Sequence, residues 1–255
     1  MAGDDMQLPP TVVSNKAQQL GLGVSLFERM RAVGIQPELL NEQYRMHPDI
    51  SSFSSRVFYN GRVKTSISTS ARPRVQSLRS LGLNRAPRKD SGDDHGHGPV
   101  TFMACSGRER RVRTGRQGHS YANESQVEIV AELVDNLVDN IERDNIKSCA
   151  VLTPYNGQLD LLRKAMDGRG VERATPGWLT LSTVDGFQGR EADVVILSTV
   201  RSNDDGKLGF VRDPRRMNVA ITRARRGLVV IGDARTLAAD PLWAAWLDAH
   251  ARKDG

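Results

Sequence analysis

Residues 193–200, Asp-Val-Val-Ile-Leu-Ser-Thr-Val, form a short and strongly apolar run in the last third of the chain. A run of this length and composition predicts a strand buried on both faces, as in a parallel sheet. Four other apolar runs, at 100–105, 149–153, 179–184 and 228–231, predict further strands. The sequence therefore predicts a sheet with at least five strands.

The segments between these runs have helical periodicity. Glu124–Ile141 carries five apolar residues on one face, a second pattern follows Pro154, and 214–225 predicts a third helix that has Pro214 in its first turn and Gly227 as its stop. The predicted core-face residues are Val127, Val130, Val134, Leu137 and Ile141 in the first helix and Leu159, Leu162 and Met166 in the second. Asn123 and Gln126 have the spacing of a capping box at the start of the first helix. Residues 242–249 predict a last helix. Alternating strands and helices predict an α/β fold with a mostly parallel sheet and right-handed crossovers.

Composition narrows the class of protein. The 255 residues are 38% hydrophobic and 26% charged, which suffices for a packed core. No apolar run approaches the ~18–20 residues that span a bilayer, and the N-terminus lacks a signal-peptide pattern. Cys105 and Cys149 lie outside any Cys-x-x-Cys pair, which favours buried, reduced thiols. We therefore expect an intracellular protein, nuclear or cytoplasmic, with no membrane partner; its net charge of +6 suits a nucleic-acid partner without requiring one.

The N-terminal part departs from this regular alternation. Residues 24–33 predict a helix with Leu26, Met30 and Val33 on one face, and the segment that begins at Pro48 predicts another. Residues 64–98 are rich in Ser, Arg, Pro and Gly, and this composition predicts a disordered surface insertion that folding does not need. Within it, His95 and His97 stand beside aspartates, but the intervening glycines favour a flexible loop over a metal site.

Two clusters concentrate the arginines. They comprise Arg108, Arg110, Arg111, Arg113 and Arg116, and then Arg212, Arg215, Arg216, Arg223, Arg225 and Arg226. In the predicted helix 214–225, Arg216 and Arg223 are seven residues apart, so they are expected on one flank of a buried stripe formed by Met217, Ala220, Ile221 and Ala224. A guanidinium held there can bind phosphate bidentately. Taken alone, however, this segment favours a solvated basic helix with ordinary salt bridges.

Five segments resemble, in order along the chain, the motifs of superfamily 1 helicases. Residues 3–10 (GDDMQLPP) resemble motif III, 42–48 (EQYRMHP) the motif IV region, 153–158 (TPYNGQ) a further segment of that group, 182–191 (STVDGFQGRE) motif V and 213–225 (DPRRMNVAITRAR) motif VI. The likeness is to the branch that includes the nonsense-mediated-decay helicase and senataxin. It implies a RecA-like fold of the P-loop-NTPase type, with a motif III segment and linker at 1–23, the second motor domain at 24–249 and a tail at 250–255.

The resemblance implies that the chain contributes to an ATP site. Arg223 would be an arginine finger, a group that can accelerate phosphoryl transfer by ~10³–10⁵; Arg45 would contact phosphate and Gln7 would sense the γ-phosphate. Tyr44 would stack near the base or sugar, and Glu191 would bind the ribose. The implied catalytic residues are Arg223, Arg45 and Gln7, and the implied nucleotide-binding set is Gln7, Tyr44, Arg45, Gly189, Glu191 and Arg223. For Gln7 and Tyr44 singly, a plain loop or core role fits equally well.

The resemblance also implies a path for single-stranded RNA or DNA. The implied residues are Thr153, Pro154, Tyr155, Ser182, Thr183 and Val184, acting through hydroxyls and main-chain N–H groups. Stacking should be modest, because only 5% of the residues are aromatic. Residues 185–189 form a poor strand between two strong ones, which predicts a loop at the sheet rim, where α/β proteins bind ligands.

The sequence departs from the family at the phosphate-binding loop. It contains no Gly-x-x-x-x-Gly-Lys-Ser/Thr and no Asp-Glu pair after an apolar strand. We therefore expect a separate first RecA-like domain to hold the phosphates and Mg²⁺, and the chain alone to be inactive. Two alternatives remain: a non-catalytic nucleic-acid-binding module, and a truncated helicase-derived product without a stable fold.

Overall fold

The computed structural model describes residues 3–10, 12, 14–78, 98–114 and 118–250. The strands in these ranges are β1 (Glu42–Gln43), β2 (Lys64–Thr65), β3 (Val100–Ala104), β4 (Arg110–Thr114), β5 (Gly118–Ala122), β6 (Cys149–Thr153), β7 (Leu179–Thr183), β8 (Ala192–Ser198) and β9 (Ala224–Gly232). The helices are α1 (Asn15–Gln19), α2 (Leu26–Ala32), α3 (Pro48–Phe58), α4 (Glu124–Asp139), α5 (Ile141–Asp144), α6 (Asn156–Arg169), α7 (Val171–Ala174), α8 (Pro214–Ile221), α9 (Ala234–Ala238) and α10 (Pro241–His250).

Five strands form one parallel sheet in the order β3-β9-β8-β6-β7. All seven residues of β8 are buried, as the apolar run predicts for a strand covered on both faces. The predicted α/β class with a mostly parallel sheet is confirmed. All five carboxyl ends lie at one rim of the sheet, so the loops that follow them are neighbours.

Helices cover both faces of the sheet. The side chains of β6 alternate between the faces: Ala150 and Leu152 join the core under α3, α8 and α10, while Cys149 and Val151 join the core under α4 and α6. This period of two is the geometry of an extended strand. Both cysteines are buried and unbonded, as predicted.

The prediction of an insertion at 64–98 is wrong for residues 64–78. Strand β2 pairs in parallel with β1, and Val75 and Leu78 are buried against the α4 side of the core. The Arg226 guanidinium donates to the carbonyl of Pro73 at 2.8 Å. The composition of residues 64–78 did not predict this packing, because two apolar side chains and the backbone carbonyls are enough to hold the segment against the core. Residues 79–97, with His95 and His97, lie outside the described residues.

The predicted helix 214–225 is too long. Helix α8 ends at Ile221, and the Thr222 hydroxyl closes its last turn by donating to the carbonyl of Asn218 at 2.6 Å. Strand β9 begins at Ala224, so Gly227 lies inside a strand and is not a helix stop. The four residues of the predicted stripe are all buried, but Ala224 is buried in the sheet. Arg223 therefore lies in the turn between helix and strand.

Two local predictions need smaller corrections. Asn123 caps α4 by accepting from the amide of Gln126, but the Gln126 side chain accepts from Ser198 and Val200 and does not complete a capping box. In α2, the apolar residues that were predicted to share a face, among them Leu26 and Met30, are exposed. Within the described ranges, no helix has the length and apolarity needed to cross a membrane.

Candidate nucleotide and nucleic-acid site

A braced turn at residues 43–47 presents Arg45. The Gln43 side-chain oxygen accepts from the amides of Arg45 and Met46 at 3.0 and 2.8 Å. Arg72 holds the same turn from outside by donating to the carbonyls of Tyr44 and Arg45 at 3.1 and 2.8 Å. These bonds satisfy backbone groups that a turn would otherwise leave unpaired, and so fix where the Arg45 side chain starts.

The Arg45 guanidinium joins three segments of the chain. It donates to the carboxylate of Glu191 at 2.5 Å, and to the carbonyl of Thr222 at 3.1 Å. Glu191 also lies 3.7 Å from the guanidinium of Arg225. The structure thus brings together Arg45, Glu191 and the turn that carries Arg223, three positions far apart in sequence that the resemblance implied for one site.

Arg223 is buried without a carboxylate partner. Its side chain is 3% exposed. It donates to the Val219 carbonyl at 2.9 Å, the Thr222 hydroxyl at 3.0 Å and the Arg190 carbonyl at 3.5 Å, all neutral acceptors. Among the residues that the structure describes, no carboxylate forms an ion pair with it. Burial, reinforced by the positive charge of Arg45, lowers the pKa of Arg223 to about 10, so it remains charged near neutrality.

Arg216 does not share the flank of Arg223, contrary to the helical-wheel prediction. Because Arg223 lies beyond the helix end, the seven-residue spacing no longer places the two side chains together. Arg216 instead donates to both carboxylate oxygens of Asp185 at 2.9 and 3.0 Å and to Asp213 at 3.0 Å. It connects α8 to the loop after β7.

Gln7 belongs to a hydrogen-bonded network that ties residues 3–10 to α8. Its side-chain amide donates to Asp4 at 2.7 Å, and the Tyr59 hydroxyl donates to the same carboxylate at 2.7 Å. Asn218 donates to Tyr59 at 3.0 Å and to the Met6 carbonyl at 2.9 Å. Burial and Asp4 raise the pKa of Tyr59, so its hydroxyl remains a donor.

A cleft of about 470 Å³ opens beside this network. Its lining combines residues 3–9, the start of α2 and two residues from the implied motifs V and VI: Gly3, Asp4, Asp5, Gln7, Leu8, Pro9, Ser25, Leu26, Phe27, Glu28, Gln188 and Arg215. Gln7 faces this cleft.

Tyr44 and Gly189 are accessible. The Tyr44 ring is 60% exposed, with its hydroxyl donating to Glu42 at 2.6 Å. Gly189 has a φ of +80°, a left-handed conformation that favours glycine, and nothing lies within 4 Å of the position of a Cβ atom. Both therefore leave room for a ligand beside the Arg45 turn and the loop after β7.

The implied nucleic-acid residues converge on one rim of the sheet, but not all can touch a ligand. Thr153 and Thr183 are register partners at the ends of β6 and β7, and the amide of Val184 donates to the Thr153 carbonyl at 3.1 Å. Thr153, Val184 and Tyr155 are buried, and the Tyr155 hydroxyl donates to the Leu208 carbonyl at 3.0 Å. These three side chains are therefore inaccessible to a ligand in this conformation.

The accessible part of the rim consists of Pro154, Ser182 and Thr183, which are half-buried, and the loop 185–190. The Thr183 hydroxyl accepts from the amide of Gly186 at 3.1 Å and shapes the loop. Arg190 lies over the ring of Phe187, 4.8 Å from its centroid. An exposed loop with a basic residue at the carboxyl ends of parallel strands can bind an anionic polymer.

Sequence reasoning missed two residues that hold the site. Arg72 lay in the supposed insertion, and Asn218 lay among apolar neighbours in the implied motif VI. Asn218 is fully buried and accepts from Ser54 at 2.6 Å while donating to residues 3–10 and α3. A polar residue between two apolar ones, Met217 and Val219, in a predicted helix was the available signal, since buried amides require partners.

Comparisons with known proteins identify the family to which the chain is similar. A family model described as "AAA domain" matches residues 22–235. "Probable helicase MAGATAMA 3" of Arabidopsis thaliana is 38% identical over 95% of this chain and 28% of its own length. "Regulator of nonsense transcripts 1" of Dictyostelium discoideum and "ATP-dependent helicase NAM7" of Saccharomyces cerevisiae are each 36% identical over 95% of this chain, covering 17% and 23% of their own lengths. The chain thus spans about a quarter or less of these relatives.

Proposed function

Because the chain belongs to the AAA domain family, we propose that it is one half of an ATP-dependent helicase motor, supplying an arginine finger and part of a path for single-stranded nucleic acid. The observation that carries the proposal is Arg223, a guanidinium that is 3% exposed and bonded only to neutral acceptors. The named activity of its relatives, helicases that depend on ATP, is consistent with that role.

A buried cation without a counter-charge is costly, because desolvation penalises the charged form. The lowered pKa of Arg223 expresses that cost. A transferred phosphoryl group carries negative charge on its equatorial oxygens and would supply the missing partner. Catalysis benefits when such a donor is held in place before charge develops, and the three neutral acceptors hold this one.

Arg45 is the second cation of the proposed site. It donates to the carbonyl of Thr222 while Arg223 donates to the hydroxyl of the same residue, so one residue holds both guanidiniums. Arg45 is paired with Glu191, whose carboxylate remains 40% exposed. That accessible carboxylate is the group we assign to the ribose hydroxyls, with Tyr44 and Gly189 beside it and Gln7 reporting on the γ-phosphate.

The described residues offer no group of three or more His, Cys, Asp or Glu arranged for a metal ion. With no Walker A sequence either, the phosphate cradle and Mg²⁺ would be supplied by a separate P-loop domain. When bound, Mg²⁺ would neutralise charge on the phosphates.

The nucleic-acid path is assigned to the rim formed by Pro154, Ser182, Thr183 and the loop 185–190. The buried residues Thr153, Tyr155 and Val184 would fix the position of this rim. Hydroxyl, main-chain N–H and arginine contacts bind the phosphate backbone and therefore give little sequence preference. With about four or five contacts, log K should fall with log salt at a slope of roughly −3 to −4, using ~0.7 per phosphate.

Steady-state ATPase kinetics test the nucleotide half of the proposal. The samples are this chain, a polypeptide that joins it to a P-loop domain, and that polypeptide with Arg223→Ala or Arg173→Ala. The chain alone should not turn over. Arg223→Ala should lower kcat by roughly 10³ or more while changing nucleotide affinity far less, because the contact strengthens in the transition state.

Arg173→Ala is the matched control, since Arg173 is exposed on α7. It should leave kcat unchanged. Turnover by the isolated chain, or a joined protein in which Arg223→Ala is as active as Arg173→Ala, contradicts the finger assignment.

A further inference from the structure

The hairpin β4–β5 carries the first arginine cluster to the same rim as the nucleic-acid path. It follows the carboxyl end of β3, and it packs on the first turn of α6, which follows the carboxyl end of β6. The amide of Gly157 donates to the Ser120 hydroxyl at 3.0 Å, and Val112 lies against the same glycine. One face of the hairpin is thus fixed to α6.

The other face of the hairpin carries positive charge. Strand alternation places Arg111 and Arg113 on it, and their register partners Tyr121 and His119 share that face. Arg111, Arg113 and His119 are exposed. Successive same-face residues are about 6.8 Å apart along a strand, which is comparable to the separation of neighbouring phosphates in an extended single strand.

These two arginines differ from their neighbours in lacking an acidic partner. Arg110 pairs with Glu124 at 2.6 Å, and Arg108 pairs with Asp204 at 3.1 Å. Glu109 forms an ion pair with Arg201. Within the part of the chain that the structure describes, neither Arg111 nor Arg113 forms an ion pair, so their charge is available to an external anion. Arg116 lies outside the described residues.

A row of aromatic rings connects this face to the loop after β7. Tyr121 meets Tyr155 edge-on with centroids 5.6 Å apart, and Tyr155 lies 5.6 Å from Phe210. Arg216, which is paired with Asp185 of that loop, lies over the Phe210 ring at 5.1 Å. Phe210 is 57% exposed, although large apolar side chains usually find cover. The row therefore has an accessible aromatic between the loop and the basic hairpin face.

We propose that Phe210 and the Arg111–Arg113 face of the hairpin form an outer arm of the single-strand path: a base stacks on Phe210, and the following phosphates bind Arg111 and Arg113. Stacking and backbone contacts in sequence are the usual means of holding single strands without sequence preference. The inference rests on the proposed nucleic-acid path and extends it from the loop 185–190 across the rim.

Fluorescence anisotropy with a labelled 15-nucleotide oligouridylate, titrated at several salt concentrations, tests the arm in the full chain. Arg111→Ala with Arg113→Ala should reduce the magnitude of the log K against log salt slope by about 1.4, the value for two single-strand phosphates at ~0.7 each. The matched control is Lys164→Ala with Arg173→Ala, which removes the same charge from exposed sites toward the far end of α6 and on α7. Its slope should match that of the unmodified chain.

Phe210 has a separate signature. Phe210→Leu should weaken binding roughly fivefold to a hundredfold without altering the salt slope, since stacking releases no counterions; Phe210→Trp should retain affinity. Circular dichroism on each variant verifies folding.

An unchanged slope in the double arginine variant, or an equal change in the control, overturns the hairpin contacts. Unchanged affinity in Phe210→Leu overturns the stacking. If binding persists while these variants behave like the unmodified chain, the arm alone is wrong; if the unmodified chain does not bind the oligonucleotide, the proposed path itself fails.

Discussion

Arg201 and Arg223 are both buried, but their hydrogen-bond acceptors differ in charge. Arg201 makes two bonds to the carboxylate of Glu109, at 2.8 and 3.0 Å, and lies over the Tyr121 ring at 4.3 Å. Among the residues that the structure describes, the acceptors of Arg223 are two carbonyls and a hydroxyl. Burial acts to lower the pKa of both, but Glu109 reverses the effect at Arg201, whose pKa is raised, whereas that of Arg223 falls to about 10.

Under the proposed function, this difference separates a structural arginine, Arg201, from a functional one, Arg223. At Arg201 the protein supplies the counter-charge, so the pair serves the fold by fastening the turn after β8 to the segment before β4. At Arg223 the described hydrogen bonds come from neutral groups, and the proposed function assigns the counter-charge to a bound phosphoryl group. Removing the Arg201 side chain should therefore lower stability, whereas removing the Arg223 side chain should lower turnover.

The largest effect on stability is expected at Arg201. Arg201→Met should lower the free energy of unfolding by about 3–5 kcal/mol, because Glu109 would remain as a buried charge without its cation. Urea denaturation followed by circular dichroism measures the change. A loss below about 1 kcal/mol would show that Glu109 is adequately solvated or satisfied by Ser202 and Asn203 alone.

A smaller, pH-dependent effect is expected at Glu109. Burial raises its pKa, but bonds from Arg201, Asn203 and Ser202 outweigh burial, and the net shift is below the ordinary value of 4.5. A depressed pKa stabilises the folded state above the unfolded pKa, and this contribution disappears as pH falls through the folded value. Glu109→Gln should thus cost about 1.5–3 kcal/mol at pH 7.

The difference between Glu109→Gln and the unmodified chain should narrow progressively below about pH 4.5. Unfolding measured between pH 7 and pH 3 gives the profile. A gap that is independent of pH would mean that the carboxylate charge contributes nothing and that only its shape matters.

The smallest effect on stability is expected at Arg223. Arg223→Met should change the free energy of unfolding by less than about 1 kcal/mol or increase it, since replacing an uncompensated buried charge with an apolar side chain is often neutral or stabilising. The same denaturation assay, with Arg201→Met as the matched comparison, decides the point. A loss as large as that of Arg201→Met would make Arg223 a structural residue and remove the distinction.

The predicted likeness to the nonsense-mediated-decay branch is confirmed by relatives of 36–38% identity. The nucleotide-binding residues that this resemblance implies stay predictions. Sequence reasoning failed where local pattern and tertiary contact disagree. Arg225 was predicted to end a helix, yet it lies in β9. The next residue of this strand, Arg226, donates to three carbonyls, those of Pro73, Asn145 and Asp144. Local periodicity carries no information about partners so distant in sequence.

The sequence by itself determined the α/β class, because apolar runs such as 193–200 and the amphipathic spacing of 124–141 encode burial directly. The resemblance of its motifs also predicted which side chains bind phosphate. Only the tertiary structure decided that 64–78 belongs to the core, that the Arg111–Arg113 segment is a hairpin, and that Arg223 lacks a carboxylate partner where Arg201 has one. These outcomes depend on contacts between distant residues, and a side chain's charge balance is a property of its surroundings, not of its neighbours in sequence.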